Sequence, residues 1–173
     1  MSSFLRVVRL LAMAVWVGGL VFFAFVVAPV AFHVLPTKHD AGMVVAGTLG
    51  VLNHVGLVCG GVFNFATIIL LIDPSTPIVG RRRRMPLALE LFFCSLMMVV
   101  TMVVQFRIVP AMERDRIAVG GDVDRAAPDN PARLDFERLH PVSEKVEGAA
   151  LFLGLGVVVL MGLERPPSVD LPG

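Results

Sequence analysis

The chain is short of the residues that catalytic and disulfide-built proteins depend on. It has two cysteines, Cys59 and Cys94, each inside an apolar run and without metal-ligand spacing, which excludes a disulfide framework and a thiolate metal site. Both read as packing residues. Lysine is nearly missing, with Lys38 and Lys145 against an otherwise arginine-based set of cations. There is no phosphate-binding loop, dinucleotide glycine fingerprint, paired-histidine zinc helix or nucleophile elbow, which leaves no catalytic signature to build on. No internal repeat stands out. The net charge of +1 gives no bulk attraction to nucleic acid, and no recognition module accompanies the basic residues.

Apolar residues are what the chain has in excess. Hydrophobic residues make up 56% of 173, and a mean hydropathy of +0.81 exceeds what a soluble domain of this size can bury. Charge is absent from Leu10 to Leu35. About 20 apolar residues rising 1.5 Å each cross a hydrocarbon core of roughly 30 Å, and the run is longer than the ~7 to 15 apolar residues of a cleaved signal. The expected fold is all-α, an integral membrane four-helix bundle forming a single transmembrane domain over 1–173. Its spans are expected at about 10–35, 50–72, 85–108 and 146–163, with an outer loop over 109–145. Asp73, Pro74 and Pro77 are expected to close the second helix, because proline lacks an amide proton and restricts the residue before it.

Charge clustering sets the orientation. Arg81, Arg82, Arg83 and Arg84 lie in a short loop between two spans, a positive-inside signal that puts both termini in the cytoplasm with Arg6, Arg9 and Arg165. The same run suits anionic lipid headgroups. The stretch from Arg107 to Glu147 then faces outward, with seven basic and nine acidic residues. Within it "MERDRIAV" is expected to form a short amphipathic helix on the outer surface, and "GGDVDRAAPDNPAR" to be turn-forming; the whole is either a lid hinged near His140 or a plain connection.

Polar residues inside the apolar runs are the candidate site residues. Counted from the cytoplasmic ends, Trp16, Asn64 and Glu90 fall in one layer at about 7 to 12 Å depth. Glu90 is either an interior carboxyl partnered by Asn64 or one that snorkels to the arginine run. His33, His54, Gln105 and Arg107 fall in a second layer at about 27 to 35 Å, within reach of His140 and Ser143. His33, His54 and His140 can ligate a transition metal or haem, or be ordinary interfacial histidines; His39 is read as solvent-facing. Small residues let helices approach in lipid, so Gly18, Gly19, Gly56, Gly60, Gly61, Gly148, Gly154 and Gly156 are expected at helix contacts.

The string "WVGGLVFFAFVVAPVAFHVLP" followed by "AG", then "QFRIVPAMERDR" and "FERLHPVS", resembles the transmembrane protein 205-like family, also catalogued as a domain of unknown function, number 4149. The resemblance covers roughly residues 5 to 163. It lands on Trp16, Gly18, Gly19, Pro29, Phe32, Leu35, Pro36, Gly42, Arg107, Pro110, Phe136, His140 and Ser143. Pro141 stands where the family has glycine, and Glu147 where it often has asparagine. The resemblance implies a four-helix membrane protein without established enzyme activity, whose animal members are associated with resistance to platinum drugs. "WVGG" is also similar to the first helix of copper-resistance membrane proteins and of a haem-dependent protoporphyrinogen oxidase.

Three functions follow as expectations. The first is a bundle that binds or transports a small solute or metal without covalent catalysis. The second is a haem- or metal-binding redox protein using the outer histidines. The third is a structural subunit or homo-oligomer whose glycine faces meet a partner in the membrane. Arginine-rich, lysine-poor usage points to a bacterial inner membrane.

Overall fold

In the computed structural model, residues 2–72 and 81–163 are described. Asp73, Pro74, Pro77 and Arg165 lie outside them, as do the side chains of Arg81 through Arg84. Helix α1 (Ser2–Phe22) runs through a π-helical segment, Phe23–Val27, into α2 (Ala28–Val34). Helix α3 (Lys38–Ile72) follows, then α4 (Arg81–Val103), which runs through a second π segment, Val104–Ile108, into α5 (Val109–Ala118). A 3-10 turn, Val123–Arg125, leads to α6 (Pro131–Leu163). Among the described residues, four stretches are long and apolar enough to cross a membrane: Ser3–Val34, Lys38–Ile72, Met85–Ala118 and Pro131–Leu163.

Each π segment has a local cause. Pro29 and Pro110 offer no N–H, and their rings would strike the carbonyls of Phe25 and Phe106 four residues back. One widened turn ahead of each proline removes the conflict without ending the helix. Accordingly, the amide of Ala28 donates to the Phe23 carbonyl, and that of Val109 to the Val104 carbonyl, both five residues back.

This absorbs much of the expected outer loop into helix. "MERDRIAV" does not lie as a separate surface helix; most of it extends α5 in line with α4, and α6 begins at Pro131, well before position 146. Helix α5 ends where Gly120, at φ 81°, allows the left-handed turn that lets the Gly121 amide donate to the Arg116 carbonyl at 2.9 Å. Asn130 starts α6, its Oδ1 accepting from the amides of Ala132 at 2.9 Å and Arg133 at 3.4 Å, with Pro131 pre-set for the first turn. Helix α3 begins at Lys38, twelve residues before the expected position 50, and Thr37 caps it by accepting from the Asp40 amide at 3.0 Å while its hydroxyl donates to the Asp40 carboxylate at 2.7 Å.

The helices close into a ring in which α1 packs on α3, α3 on α4, α4 on α6 and α6 on α1. Trp16, Met13, Val17, Leu20, Phe63, Cys94, Met97, Ala150 and Val157 fill its centre. Large apolar side chains also cover the outside: Phe25, Phe65 and Phe152 are 72%, 68% and 74% exposed. A water-soluble bundle would hide such residues, whereas hydrocarbon is their natural surroundings.

The glycine contacts are fewer than expected. A Cβ on Gly56 would fall on the Trp16 indole, one on Gly60 would come within 2.6 Å of Trp16 Cζ3, and one on Gly154 within 2.7 Å of Val17 Cγ2. Gly19 faces Leu52 at 2.6 Å. Gly18, Gly61, Gly148 and Gly156 have open space where a side chain would be, so they are not contact points within the monomer.

Candidate functional site

Charge enters the bundle at one end through Arg9 of α1 and Glu90 of α4. They are 1% and 0% exposed and form a direct ion pair. Because α1 and α4 stand diagonally across the ring, the pair ties together two helices that share little other contact. The Arg9 guanidinium also lies over the Phe63 ring, 5.0 Å from its centroid, a cation–π arrangement strengthened by the lack of water.

Asn64, the expected partner of Glu90, is engaged elsewhere: its amide donates to Ser95 Oγ at 3.1 Å and approaches Met98 Sδ at 3.4 Å. The choice of Arg9 follows from helical spacing. Arg9, Met13, Trp16 and Leu20 recur every three or four residues and are all buried, so Arg9 points along the same face as the core.

The middle of the bundle is tight and mostly apolar. Trp16 is 0% exposed and fits against α3 because Gly56 and Gly60 remove the side chains that would collide with it. Cys94, also buried, directs its thiol toward the Gly60 carbonyl at 3.8 Å, and the Thr67 hydroxyl is tied to the Phe63 carbonyl at 2.8 Å. Both cysteines are free thiols set among apolar neighbours.

A second polar layer lies toward the other end, built around Asn53 of α3 and Glu147 of α6. Asn53 is 0% exposed, and its Nδ2 donates to Glu147 Oε1 at 2.8 Å. Helix register adds two side chains from α4 and its π segment. Met97 meets α6 at Gly154, so in this antiparallel pair Thr101 lies level with Ala150 and Gln105 level with Glu147. Four oxygens of this layer are buried without a hydrogen-bond partner: Asn53 Oδ1, Thr101 Oγ1, Gln105 Oε1 and Glu147 Oε2. Buried polar atoms are nearly always satisfied, and Asn64 Oδ1, Glu90 Oε1 and Trp16 Nε1 elsewhere in the bundle are likewise without a hydrogen-bond partner.

Of this layer the sequence pointed only to Gln105. Asn53 and Thr101 are neutral and unremarkable in an apolar run, and Glu147 stood out only as a departure from a family asparagine. A usable signal was spacing: Asn53, Gly56, Gly60, Phe63 and Thr67 form a buried stripe at intervals of three and four, as do Glu90, Cys94, Met97, Thr101 and Val104.

The histidines are at the surface. His33 is exposed. His54 Nδ1 hydrogen-bonds the Gly50 carbonyl at 2.7 Å, and its ring meets Phe106 edge-on at 6.1 Å. His140 stacks on Phe136 at 6.2 Å and lies 3.3 Å from Glu144, while Ser143 Oγ donates to the His140 carbonyl at 2.8 Å. Among the described residues, no group of three or more His, Cys, Asp or Glu side chains comes together as a metal centre would need. Pro29, Phe32, Pro36, Arg107 and Pro110 are also exposed, so only part of the resemblance motif faces the interior.

An all-helical bundle with four membrane-length apolar helices, a lipid-type outer surface and ionisable groups inside is a multi-pass membrane protein in class. The family model described as Domain of unknown function (DUF4149) matches residues 11–116, more than half of the chain. The chain belongs to that family. No curated protein and no solved structure matches it.

Proposed function

We propose that the protein binds a small polar or charged solute inside the membrane, at the layer of Asn53, Thr101, Gln105 and Glu147, and carries it without covalent chemistry. One observation supports this above others: Asn53 Oδ1, Gln105 Oε1 and Glu147 Oε2 are unpartnered at one level of the bundle, with Thr101 Oγ1 one turn further in. Polar groups in a span are costly, and those retained there commonly mark a substrate or ion path. The arginine run supports an orientation with that loop and both termini in the cytoplasm, Arg81 through Arg84 meeting anionic headgroups, and the polar layer nearer the outer face. The lysine-poor composition fits a bacterial inner membrane, and the likeness to transmembrane protein 205-like proteins fits a transport role.

The test is thermal unfolding of the protein in lipid nanodiscs against a panel of small polar solutes, alongside a Thr101→Val, Gln105→Leu variant. A solute present at 100 times its Kd stabilises by about 2.7 kcal/mol. At least one is expected to stabilise the wild type and leave the variant unmoved; a panel with no such difference would refute the reading.

A second reading rests on His54. With Nδ1–H donated to the Gly50 carbonyl, Nε2 keeps its lone pair, the tautomer a metal or haem iron binds. His33 and His140 are its candidate companions. An absorption spectrum and metal analysis of the purified protein and of a His54→Ala, His140→Ala variant decide it: a Soret band or stoichiometric metal lost in the variant supports this reading, and a colourless, metal-free wild type after haem and copper loading rejects it.

A further inference from the structure

The unpartnered atoms of Asn53, Thr101, Gln105 and Glu147 are all oxygens, while an unpartnered nitrogen, Trp16 Nε1, lies beside Gly56 one turn from Asn53. Asn53 turns its Nδ2 donor onto Glu147 Oε1, which leaves its Oδ1 as an acceptor, and the remaining atoms are a hydroxyl oxygen, an amide oxygen and the second carboxylate oxygen. No nitrogen or sulfur donor belongs to the set, so it is poorly matched to a transition metal. One carboxylate among three neutral oxygens supplies a single negative charge. The hydrogen bond that Glu147 accepts comes from a neutral amide and leaves this charge unmatched, unlike Glu90, which has Arg9. A part-buried carboxylate without a counter-charge is neutralised by a proton or by a cation, and the unpartnered acceptor oxygens at its level suit a cation.

We propose that Asn53, Thr101, Gln105 and Glu147 form a binding site for a small monovalent cation of the sodium type, with Glu147 as the charged ligand. The proposal rests on the solute-binding reading above and names its substrate class. Three helices supply the oxygens, α3, α6 and the α4 stretch with its π segment, so an ion here draws them together. The π segment has a direct part in this. Its widened turn shifts the register of Gln105 relative to Thr101, and π-bulges of this kind recur where a helix must aim a side chain at a ligand.

The test uses the full chain in nanodiscs at constant ionic strength and pH, with sodium, lithium or potassium chloride replaced stepwise by N-methylglucamine chloride. Thermal unfolding and sodium-23 NMR line broadening are the readouts. Expected is a saturable rise in melting temperature and saturable broadening with at least one alkali cation. Both are expected to vanish in Glu147→Gln and to weaken at least tenfold in apparent affinity in Thr101→Val, which keeps its shape if the former folds poorly. Glu144→Gln, at an exposed carboxylate one turn away, should behave as wild type. Equal melting in alkali and N-methylglucamine salts overturns the cation site, as does an alkali effect that survives both Glu147→Gln and Thr101→Val. If alkali ions are inert but an organic solute still distinguishes wild type from the Thr101→Val, Gln105→Leu variant, the cation proposal alone falls; if neither acts, both do.

Discussion

Deleting either member of the Arg9–Glu90 pair should be far more damaging than deleting both. The two side chains are 1% and 0% exposed, so a single replacement leaves its partner charged where neither water nor headgroup reaches. Breaking a buried pair in this way costs about 3 to 5 kcal/mol. Glu90→Leu and Arg9→Met are each expected to destabilise the bundle by about 3 kcal/mol. Glu90→Leu should be the worse, because a stranded guanidinium stays charged whereas a stranded carboxylate can take up a proton and become neutral. Arg9→Met, Glu90→Leu together replace the pair with apolar side chains of similar length and should return to within about 1 kcal/mol of wild type. Equilibrium unfolding in mixed micelles, followed by the fluorescence of Trp16, the chain's only tryptophan, measures all four corners of the cycle. Independent sites add to within about 0.5 kcal/mol. A double variant as unstable as the sum of its parts would refute a direct, water-excluded pair.

The same unfolding assay separates packed glycines from open ones. Gly56→Ala drives a methyl into the Trp16 indole and should cost about 1 to 3 kcal/mol, whereas Gly61→Ala meets nothing within 4 Å and should be neutral or stabilising by roughly 0.5 to 1 kcal/mol through helix propensity. Asn130→Ala removes the oxygen that caps α6 and should cost about 1 kcal/mol, with faster hydrogen exchange at the Ala132 and Arg133 amides as its local sign; unchanged exchange there would argue against the cap.

How much of this was legible in the sequence depends on what hydrocarbon does to sequence pattern. A bilayer demands about 20 consecutive apolar residues, so the four helices could be read from hydropathy. Their inner faces could not be read the same way. In water an amphipathic helix shows its core as apolar residues against polar ones, but here both faces are apolar, and Phe65 at 68% exposure differs in kind very little from Phe63 at 0%. Glu90 was visible because a carboxyl in such a run is rare. Arg9 was not, because a cation near the start of a span ordinarily marks topology and only its spacing to Met13 and Trp16 betrays an inward direction. The helical course past position 109 is hidden for a similar reason: Pro110 normally ends a helix, and nothing in "QFRIVP" announces that a π turn will absorb it. What the folded bundle shows is that polar and small residues mark the interior here. Asn53, Gly56, Gly60 and Thr67 on α3, and Glu90, Cys94 and Thr101 on α4, are buried at intervals of three, four or seven, while Val58, Phe65, Phe92 and Val99 turn outward. In a span of this kind the proposed site and the packing surface share one stripe, and the spacing of its few polar members locates that stripe.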